Sequence, residues 1–275
     1  MNRKKMYLLS AKEYEHDFDK KALKTLNGTI GLETLIKKFN EYGIERILRI
    51  QYTGSNLKIT KNNYPKIYNI LLEACENIGL NEKPDLYVEW GYSINGFTAG
   101  VEKPIIVLNS GAIDLLTPSE LLCVIGHEIG HIKSKHVVYH QMASVLPSIG
   151  EFVGSFTLGI GEMVSKTIEI ALLNWQRMSE FTADRAGLLA CQDINVVLKL
   201  MVKMSGIPQR FFDKINTDEF ITQAREFESY DYNTLDKLTK VMSIMWQSHP
   251  WTVMRASEIL KWNDSGAYDE ILNKF

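Results

Sequence analysis

Apolar residues recur along the chain at two spacings, and the change between them separates helical from extended parts. Residues 14–24, 32–42 and 65–78 carry apolar side chains at intervals of three to four positions, which is the period of one face of an α-helix. Gly79 follows the third stretch and predicts its end. Residues 46–52 instead alternate β-branched and polar side chains, a pattern typical of an extended segment.

The helical spacing is lost in the middle of the chain. Residues 85–90 and 103–109 are short runs rich in β-branched and aromatic residues, and they predict two strands. Between them, residues 95–100 predict a turn that leads into a further extended piece. From Leu115 onward the pattern is helical. These elements predict an α+β fold that is mostly helical, with a small β-sheet followed by helices.

Length and charge narrow the class of protein. A chain of 275 residues can form one domain, with or without a smaller satellite. We expect residues 1–60 to form a helical and extended segment that packs on a main domain of residues 61–275. The net charge is −2 and no block of lysine and arginine is long, so nucleic acid is not an expected partner. The pattern does not indicate an oligomeric state.

The cysteines and the N-terminus indicate a compartment. The three cysteines show no C-x-x-C spacing, which favours buried thiols in a reducing compartment over a disulfide framework. The apolar stretch at residues 6–9 is too short for a signal peptide, so a cytoplasmic location is expected. Residues 142–161 carry a single charged residue, Glu151. Contact of this segment with the cytoplasmic side of a membrane therefore stays open beside burial within the protein.

The strongest chemical signal is the sequence His-Glu-Ile-Gly-His at residues 127–131. Residues four apart share a face of a helix, so His127 and His131 can offer two imidazoles to one Zn²⁺. Glu128 lies at the flank of that face, where it can take a proton from a metal-bound water. Residues 117–120 form a capping box with proline at the first helical position, which places the motif on a well-defined helix.

A catalytic zinc site takes three protein ligands, and the motif supplies two. His136 and His140 follow His131 by five and nine residues. On a continued helix they would point away from the metal, so we interpret them as surface or outer histidines. Glu180 and Asp184 share one face of a helix flanked by apolar residues. Glu180 can bind the metal while Asp184 accepts a hydrogen bond from the far nitrogen of a ligand imidazole.

Three separate segments together resemble the M48 zinc peptidases, a family that includes the Ste24 and HtpX proteases. They are H-E-I-G-H at 127–131, E-F-T-A-D-R-A-G at 180–187 and S-H-P at 248–250, with Arg255 six residues after the histidine. The stretch from 95 to 111 also resembles the family's segment upstream of its zinc helix. The resemblance implies a gluzincin-type metallopeptidase fold with a small sheet next to the zinc helix.

The resemblance also implies roles for individual residues. His127, His131 and Glu180 would hold one Zn²⁺ per chain, and Glu128 would activate the water. Asp184 would lie behind the ligands. The remaining implied roles are oxyanion stabilisation by His249, ordering of that wall by Arg255, and strand-type binding of the substrate backbone at Asn95, Phe97, Thr98 and Ala99.

The sequence therefore predicts a zinc-dependent endopeptidase that acts on proteins or peptides. Two alternatives stay open: a latent enzyme in which His249 closes the metal site, and a non-catalytic module that binds a protein or a membrane. Ste24 and HtpX enzymes carry transmembrane helices, whereas this chain has at most one candidate, at residues 142–161. The expectation is a soluble or peripherally attached relative.

Overall fold

The computed structural model describes residues 3–41, 43–145, 160–229 and 249–275. The helices are α1 (Ala11–Tyr14), α2 (Asp17–Asn27), α3 (Leu32–Glu41), α4 (Ile44–Ser55), α5 (Pro65–Ile78), α6 (Ser110–Leu115), α7 (Pro118–Lys133), α8 (described over 137–145), α9 (Ile160–Cys191), α10 (Ile194–Met204), α11 (Thr217–Ser229), α12 (Thr252–Asp264) and α13 (Ala267–Leu272), with a 3-10 helix at Gln209–Lys214. The strands are β1 (Leu57–Ile59), β2 (Asp85–Glu89), β3 (Gly96–Ala99) and β4 (Ile105–Asn109). The predicted α+β fold, mostly helical with a small sheet, is confirmed.

Most of the predicted elements lie where the apolar spacing puts them. The predicted helices correspond to α2, α3 and α5, and the predicted strands to β2 and β4. Gly79 ends α5 with a left-handed φ of 67°. A Cβ at this glycine would lie 2.2 Å from the carbonyl oxygen of Met6, so the N-terminal segment can pass here only beside a residue without a side chain.

The prediction of an extended segment at residues 46–52 is wrong, because these residues belong to α4. Leu48 and Tyr52 lie four residues apart, share a face of α4 and both line a cavity beside the sheet. The ring of Tyr52 packs against that of Phe97 at a centroid distance of 4.8 Å. Contact with the sheet thus overrides the β propensity of the branched residues, as tertiary packing often does.

The sheet has four strands in the order β1-β2-β4-β3. β2 and β4 are parallel, and the two outer strands pair antiparallel to them, with Thr98 of β3 opposite Ile106 of β4. Alternate residues of β4 face opposite sides: Ile106 and Leu108 join the main core, and Val107 packs in a smaller cluster with Tyr52. β3 is an edge strand of this sheet and lies against α7.

Three glycines let α7 and α9 pack closely, and this contact sets the position of the H-E-I-G-H segment. A Cβ at Gly126 would lie 2.2 Å from Cβ of Ala190, and one at Gly130 would lie 2.6 Å from Cβ of Ala186. At Gly187 it would lie 3.0 Å from the carbonyl oxygen of Cys123. Because no side chain separates the backbones here, the polar faces of the two helices come within bonding distance of each other.

The N-terminal helices pack on the C-terminal half of the chain. Leu26 and Leu32 form a second core cluster with Leu172 and Trp175 of α9. The division of the chain at residue 60 stays a prediction. Within the described ranges, no helix is long and apolar enough to cross a membrane. Of the segment 142–161, residues 146–159 lie outside those ranges, so its predicted membrane contact also stays a prediction.

Candidate metal centre

The helix that carries the candidate site begins as the sequence predicts. Thr117 Oγ1 accepts a hydrogen bond from the backbone N–H of Glu120, and the Glu120 carboxylate accepts one from the N–H of Thr117. Glu120 is buried and also binds Nζ of Lys203 at 2.7 Å. The first turn of the helix is therefore capped, and residues 127–131 lie further along the same helix, in the protein interior.

Three predicted metal ligands meet in one place. His127 Nε2 and His131 Nε2 lie 3.2 Å apart. The carboxylate of Glu180 lies 3.4 Å from the former and 3.3 Å from the latter. Donors at 2.0–2.1 Å from a tetrahedral zinc are separated by about 3.3–3.4 Å from one another. The separations in this chain therefore match a single tetrahedral ion.

The burial of the Glu180 carboxylate favours a bound cation beside it. Its side chain is 2% exposed, and its Oε2 atom has no hydrogen-bond partner among the described residues. A buried carboxylate oxygen without a partner is costly. A divalent metal bound by Glu180 and the two histidines would satisfy this oxygen, so the residues present fit the ion that the sequence predicts.

A second group of three histidines, His131, His136 and His140, is also close enough to hold a metal. In that group His136 Nε2 is bonded to Asp19, and His140 Nε2 lies 2.9 Å from Oγ of Ser179. Its outer members are thus satisfied by the protein alone and carry no negative charge. The set with Glu180 is the better metal site.

The outer nitrogen of His127 is bonded to a carboxylate. His127 Nδ1 lies 3.1 Å from Asp184 Oδ1, and Arg255 donates to both oxygens of Asp184, from Nε at 2.8 Å and from Nη2 at 2.5 Å. All three side chains are largely buried. We call His127, Asp184 and Arg255 the Asp184 network. The structure thus brings Asp184 to the ligand imidazole, and Arg255 reaches it from α12.

The outer nitrogen of His131 is bonded to another imidazole. His131 Nδ1 lies 3.1 Å from His136 Nδ1, and His136 Nε2 lies 3.1 Å from Oδ2 of Asp19 on α2. We call His131, His136 and Asp19 the Asp19 network. His136 is 3% exposed and Asp19 is 1% exposed, so this network is fully inside the protein.

His136 therefore lies behind a predicted metal ligand, as the interpretation of an outer histidine has it, but the helical geometry used for that interpretation is wrong. It assumed a continued helix, but α7 ends at Lys133 and Lys135 adopts a left-handed φ of 60°. The backbone N–H of His136 then donates to the carbonyl oxygen of His131 at 2.9 Å. This reversal turns the His136 ring back onto His131. His140 is half-buried and lines the cavity beside the site, which agrees with an outer histidine rather than a surface one.

Glu128 is held next to the metal ligands by the edge strand. Its carboxylate accepts a hydrogen bond from Oγ1 of Thr98 at 2.7 Å and is 5% exposed. The sequence assigns Thr98 to substrate binding and misses this contact, because a threonine on a strand carries no signal of its partner. Burial raises the pKa of Glu128, against the opposing effects of His127 and Thr98.

Charge is concentrated around His127. Burial alone would lower its pKa, but hydrogen bonds and charge from Asp184 and Glu180 raise it to about 10. Burial lowers the pKa of His131 to about 4, although Glu180 opposes this. Asp184 and Glu180 therefore make this cluster attractive to a positive charge. A metal ion between the two imidazoles would lie next to the Glu180 carboxylate.

Two cavities meet at the site and share His127, Glu128, Glu180 and His249. One, of about 180 Å³, is lined by the edge strand, including Asn95, Phe97, Thr98 and Ala99. The other, of about 390 Å³, is largely apolar, and its walls include Val124, Leu200, Met201 and Met204.

The predicted oxyanion and substrate residues lie around these cavities. His249 is 44% exposed on its side chain, with Nε2 3.7 Å from Oε2 of Glu180. Phe97 packs on Tyr52, and Ala99 is buried. Asn95 accepts a hydrogen bond from the N–H of Asn109 through its carbonyl oxygen. The side chain of Ala99 is therefore in the core, and only the backbone of this edge strand faces away from β4.

Family comparison agrees with the site. The sequence model of peptidase family M48 matches residues 61–263, and this chain belongs to that family. It is therefore a peptidase of the metal-dependent class that acts on polypeptides. Asp19 lies outside the matched residues.

Named relatives support the assignment. The chain is 34% identical over 269 residues to the plastoglobule-localized metallopeptidase 48, chloroplastic, of Arabidopsis thaliana, covering 97% of this chain and 76% of that protein. It is 25% identical over 181 residues to protease HtpX homolog 2 of Methanosarcina mazei and 23% identical over 200 residues to the HtpX homolog of Helicobacter acinonychis. These matches cover 58% and 64% of this chain, and the chain spans 60% and 65% of the two proteins. No solved structure matches the chain significantly.

Proposed function

We propose that this protein is a zinc-dependent endopeptidase with one Zn²⁺ per chain, held by His127, His131 and Glu180. The observation that carries the proposal is the set of separations of 3.2–3.4 Å among their donor atoms, which suits tetrahedral zinc. Structural zinc sites are usually rich in cysteine, whereas two histidines and a glutamate are typical of catalytic zinc. The three cysteines of this chain are buried and outside the donor set.

Glu128 is the general base in this proposal. Bound zinc would act as a Lewis acid that polarises a peptide carbonyl and lowers the pKa of water. Glu128 would take the proton of the attacking water and return it to the leaving amine. Its burial supports this role, because a raised carboxyl pKa brings the group closer to neutral pH. The hydrogen bond from Thr98 fixes the carboxylate while leaving one oxygen for the proton.

The substrate would bind as an added strand along β3, with its scissile carbonyl near His249. An edge strand offers free backbone donors and acceptors to an extended peptide. A peptide that passes both cavities extends to either side of the bond that is cleaved, which favours endopeptidase over exopeptidase activity. His249 would donate a hydrogen bond to the developing oxyanion, a role in which one lost donor typically lowers kcat by about 10²–10³.

Cleavage of casein tests the proposal. Purified protein with stoichiometric zinc is compared with Glu128→Gln and with Glu82→Gln, an exposed control. We expect Glu128→Gln to bind zinc normally and to lose activity by about 10²–10⁴-fold, while Glu82→Gln keeps it. Full activity of Glu128→Gln would refute the general-base role, and wild-type protein without bound zinc would refute the metal assignment.

A latent form of the same enzyme has support from the position of His249. Its Nε2 lies 3.7 Å from a ligand oxygen of the candidate site, close enough for a small movement to bring it to the metal. In a latent enzyme His249→Ala raises cleavage, whereas the oxyanion role predicts a fall. If neither protein cleaves while both bind zinc, a non-catalytic binding role becomes the better interpretation.

The location and assembly of the protein stay predictions. We expect it in the cytoplasm, since its three cysteines are unpaired and buried, while the printed name of the Arabidopsis relative gives a chloroplast location for that protein. Peripheral membrane contact through residues 142–161 is tested by co-sedimentation of the protein, with and without that segment, with liposomes.

A further inference from the structure

The region before the matched domain contributes a buried carboxylate, Asp19, close to the candidate metal centre. We propose that Asp19, on α2, is a positioning residue that holds His131 in its metal-binding tautomer through His136. The inference rests on the proposed zinc site and concerns how that site is built. It gives residues 1–60 a part in the metal centre, although the family match begins at residue 61.

The Asp19 carboxylate is surrounded by hydrogen-bond donors. An ionised carboxylate accepts hydrogen bonds and cannot donate them. Three groups point at the two Asp19 oxygens: Nε1 of Trp175 at 3.0 Å, Oγ1 of Thr182 at 2.6 Å and Nε2 of His136 at 3.1 Å. Trp175 and Thr182 donate to the two oxygens, so Asp19 acts as an acceptor and His136 Nε2 carries the hydrogen of the third bond.

That hydrogen decides the next contact. A charged His136 would also donate from Nδ1 and would leave the hydrogen of His131 on Nε2, where no metal could bind. In the metal-binding form His136 therefore has one N–H, on Nε2, and its Nδ1 atom is an acceptor. The atom facing it at 3.1 Å is Nδ1 of His131, which must then be the donor. His131 consequently has its hydrogen on Nδ1 and its lone pair on Nε2. Nε2 is the atom that faces His127 and Glu180, and it is the one that a metal needs.

The position of Asp19 is set by the same helix that carries Glu180. Trp175 and Thr182, which donate to Asp19, lie on α9 to either side of Glu180. Trp175 is fully buried and its ring also packs edge-on against that of His136 at 5.3 Å. α9 thereby places Asp19 and His136 on one side of His131 and Glu180 on the other.

An asparagine at position 19 would keep the side-chain volume but could not accept hydrogen bonds at both positions of the carboxylate. Its amide has one acceptor oxygen and one NH₂ donor, and the pocket presents three donors to it. One donor must then face the NH₂ group. If this is His136 Nε2–H, the imidazole changes tautomer and His131 loses its acceptor. Outer partners of this kind typically contribute 10–100-fold to metal affinity.

The test measures zinc affinity and not proteolysis. Wild type, Asp19→Asn and Thr182→Val are titrated against a zinc chelator, and the visible absorption of their Co²⁺ forms is recorded. Thr182→Val is the matched control, because it removes one donor to Asp19 and a bond from the His16 N–H and leaves the bond from His136 in place. Both variants are also unfolded in urea without metal, so that lost stability can be separated from lost affinity.

We expect Asp19→Asn to bind zinc about 10–100-fold more weakly than wild type, with a changed Co²⁺ spectrum, and Thr182→Val to bind within about threefold. His136→Phe, which keeps a ring against Trp175, should show the same loss as Asp19→Asn and replaces it if that variant does not fold. Equal affinity of wild type and the two network variants would overturn the inference, as would an equal loss in Thr182→Val. Failure of wild type to bind zinc would instead overturn the proposed function.

Discussion

The two histidines of the candidate metal site are supported in different ways. In the Asp184 network the outer nitrogen of His127 meets a carboxylate directly, and that carboxylate is paired with a buried arginine. In the Asp19 network the imidazole of His136 lies between His131 and the carboxylate, and that carboxylate accepts hydrogen bonds from His136, Trp175 and Thr182. The Asp184 network is therefore held by opposite charges, whereas the Asp19 network depends on which nitrogen of each imidazole carries its hydrogen.

The networks also differ in where their parts come from. Asp184 lies one helical turn after Glu180 on α9, and Arg255 follows on α12, all within the residues matched by the family model. Asp19 comes from an N-terminal helix outside that match. The two histidines of the candidate metal site thus receive their outer hydrogen bonds from different parts of the chain. Those of His127 come from the residues matched by the family model, and the network of His131 ends on a residue before that match.

The largest expected effect follows from removing the charge of the Asp184 network. Asp184→Asn removes the carboxylate to which buried Arg255 is hydrogen-bonded and leaves only that of Glu180, at 3.8 Å. Losing one partner of a buried ion pair typically costs about 3–5 kcal/mol. We expect the free energy of unfolding in urea, measured without metal, to fall by about that amount. Asp213→Asn, at an exposed site, is the control. A loss below about 1 kcal/mol would mean that the two networks do not differ in this way.

A smaller effect is expected where both networks share a support, the close contact of α7 and α9. Gly130→Ala places a Cβ 2.6 Å from Cβ of Ala186, and overpacking of this kind typically costs about 1–3 kcal/mol. Because the helices must separate, zinc affinity should fall together with stability. Gly28→Ala is the control, since its Cβ meets only carbonyl oxygens at 3.5 Å or more. Unchanged zinc affinity in a destabilised Gly130→Ala would show that the ligands move independently of this contact.

The smallest effect is a difference in pH dependence. The pKa of Asp19 is lowered in the folded protein, so its ionised form stabilises the fold above the ordinary aspartate pKa, about 3.9. This contribution is lost as pH falls below that value towards the folded pKa. The difference in unfolding free energy between metal-free wild type and Asp19→Asn should therefore be largest above pH 4 and shrink below it. A difference that stays constant from pH 6 to pH 3 would contradict an ionised Asp19.

Much of the fold follows from local patterns. The capping box at Thr117, the glycine after α5 and the strands β2 and β4 all lie where the sequence predicts them. The failure at residues 46–52 has a physical reason. The β-branched residues there satisfy a strand pattern, while Leu48 and Tyr52 satisfy a helical one, and contact with the sheet decides between them.

The sequence by itself determined which side chains share a face of one helix. Two histidines four apart, and a glutamate four residues before an aspartate, share faces of helices wherever those helices lie, so the ligand set and Asp184 can be predicted. The tertiary structure decided which side chains from different elements contact one another. The close approach of α7 and α9 at glycines, the bond from Thr98 to Glu128 and the left-handed turn at Lys135 depend on how separate elements pack. Asp19 lies in a charged helix that resembles a solvated one in sequence, and only packing against α9 brings it to the metal centre.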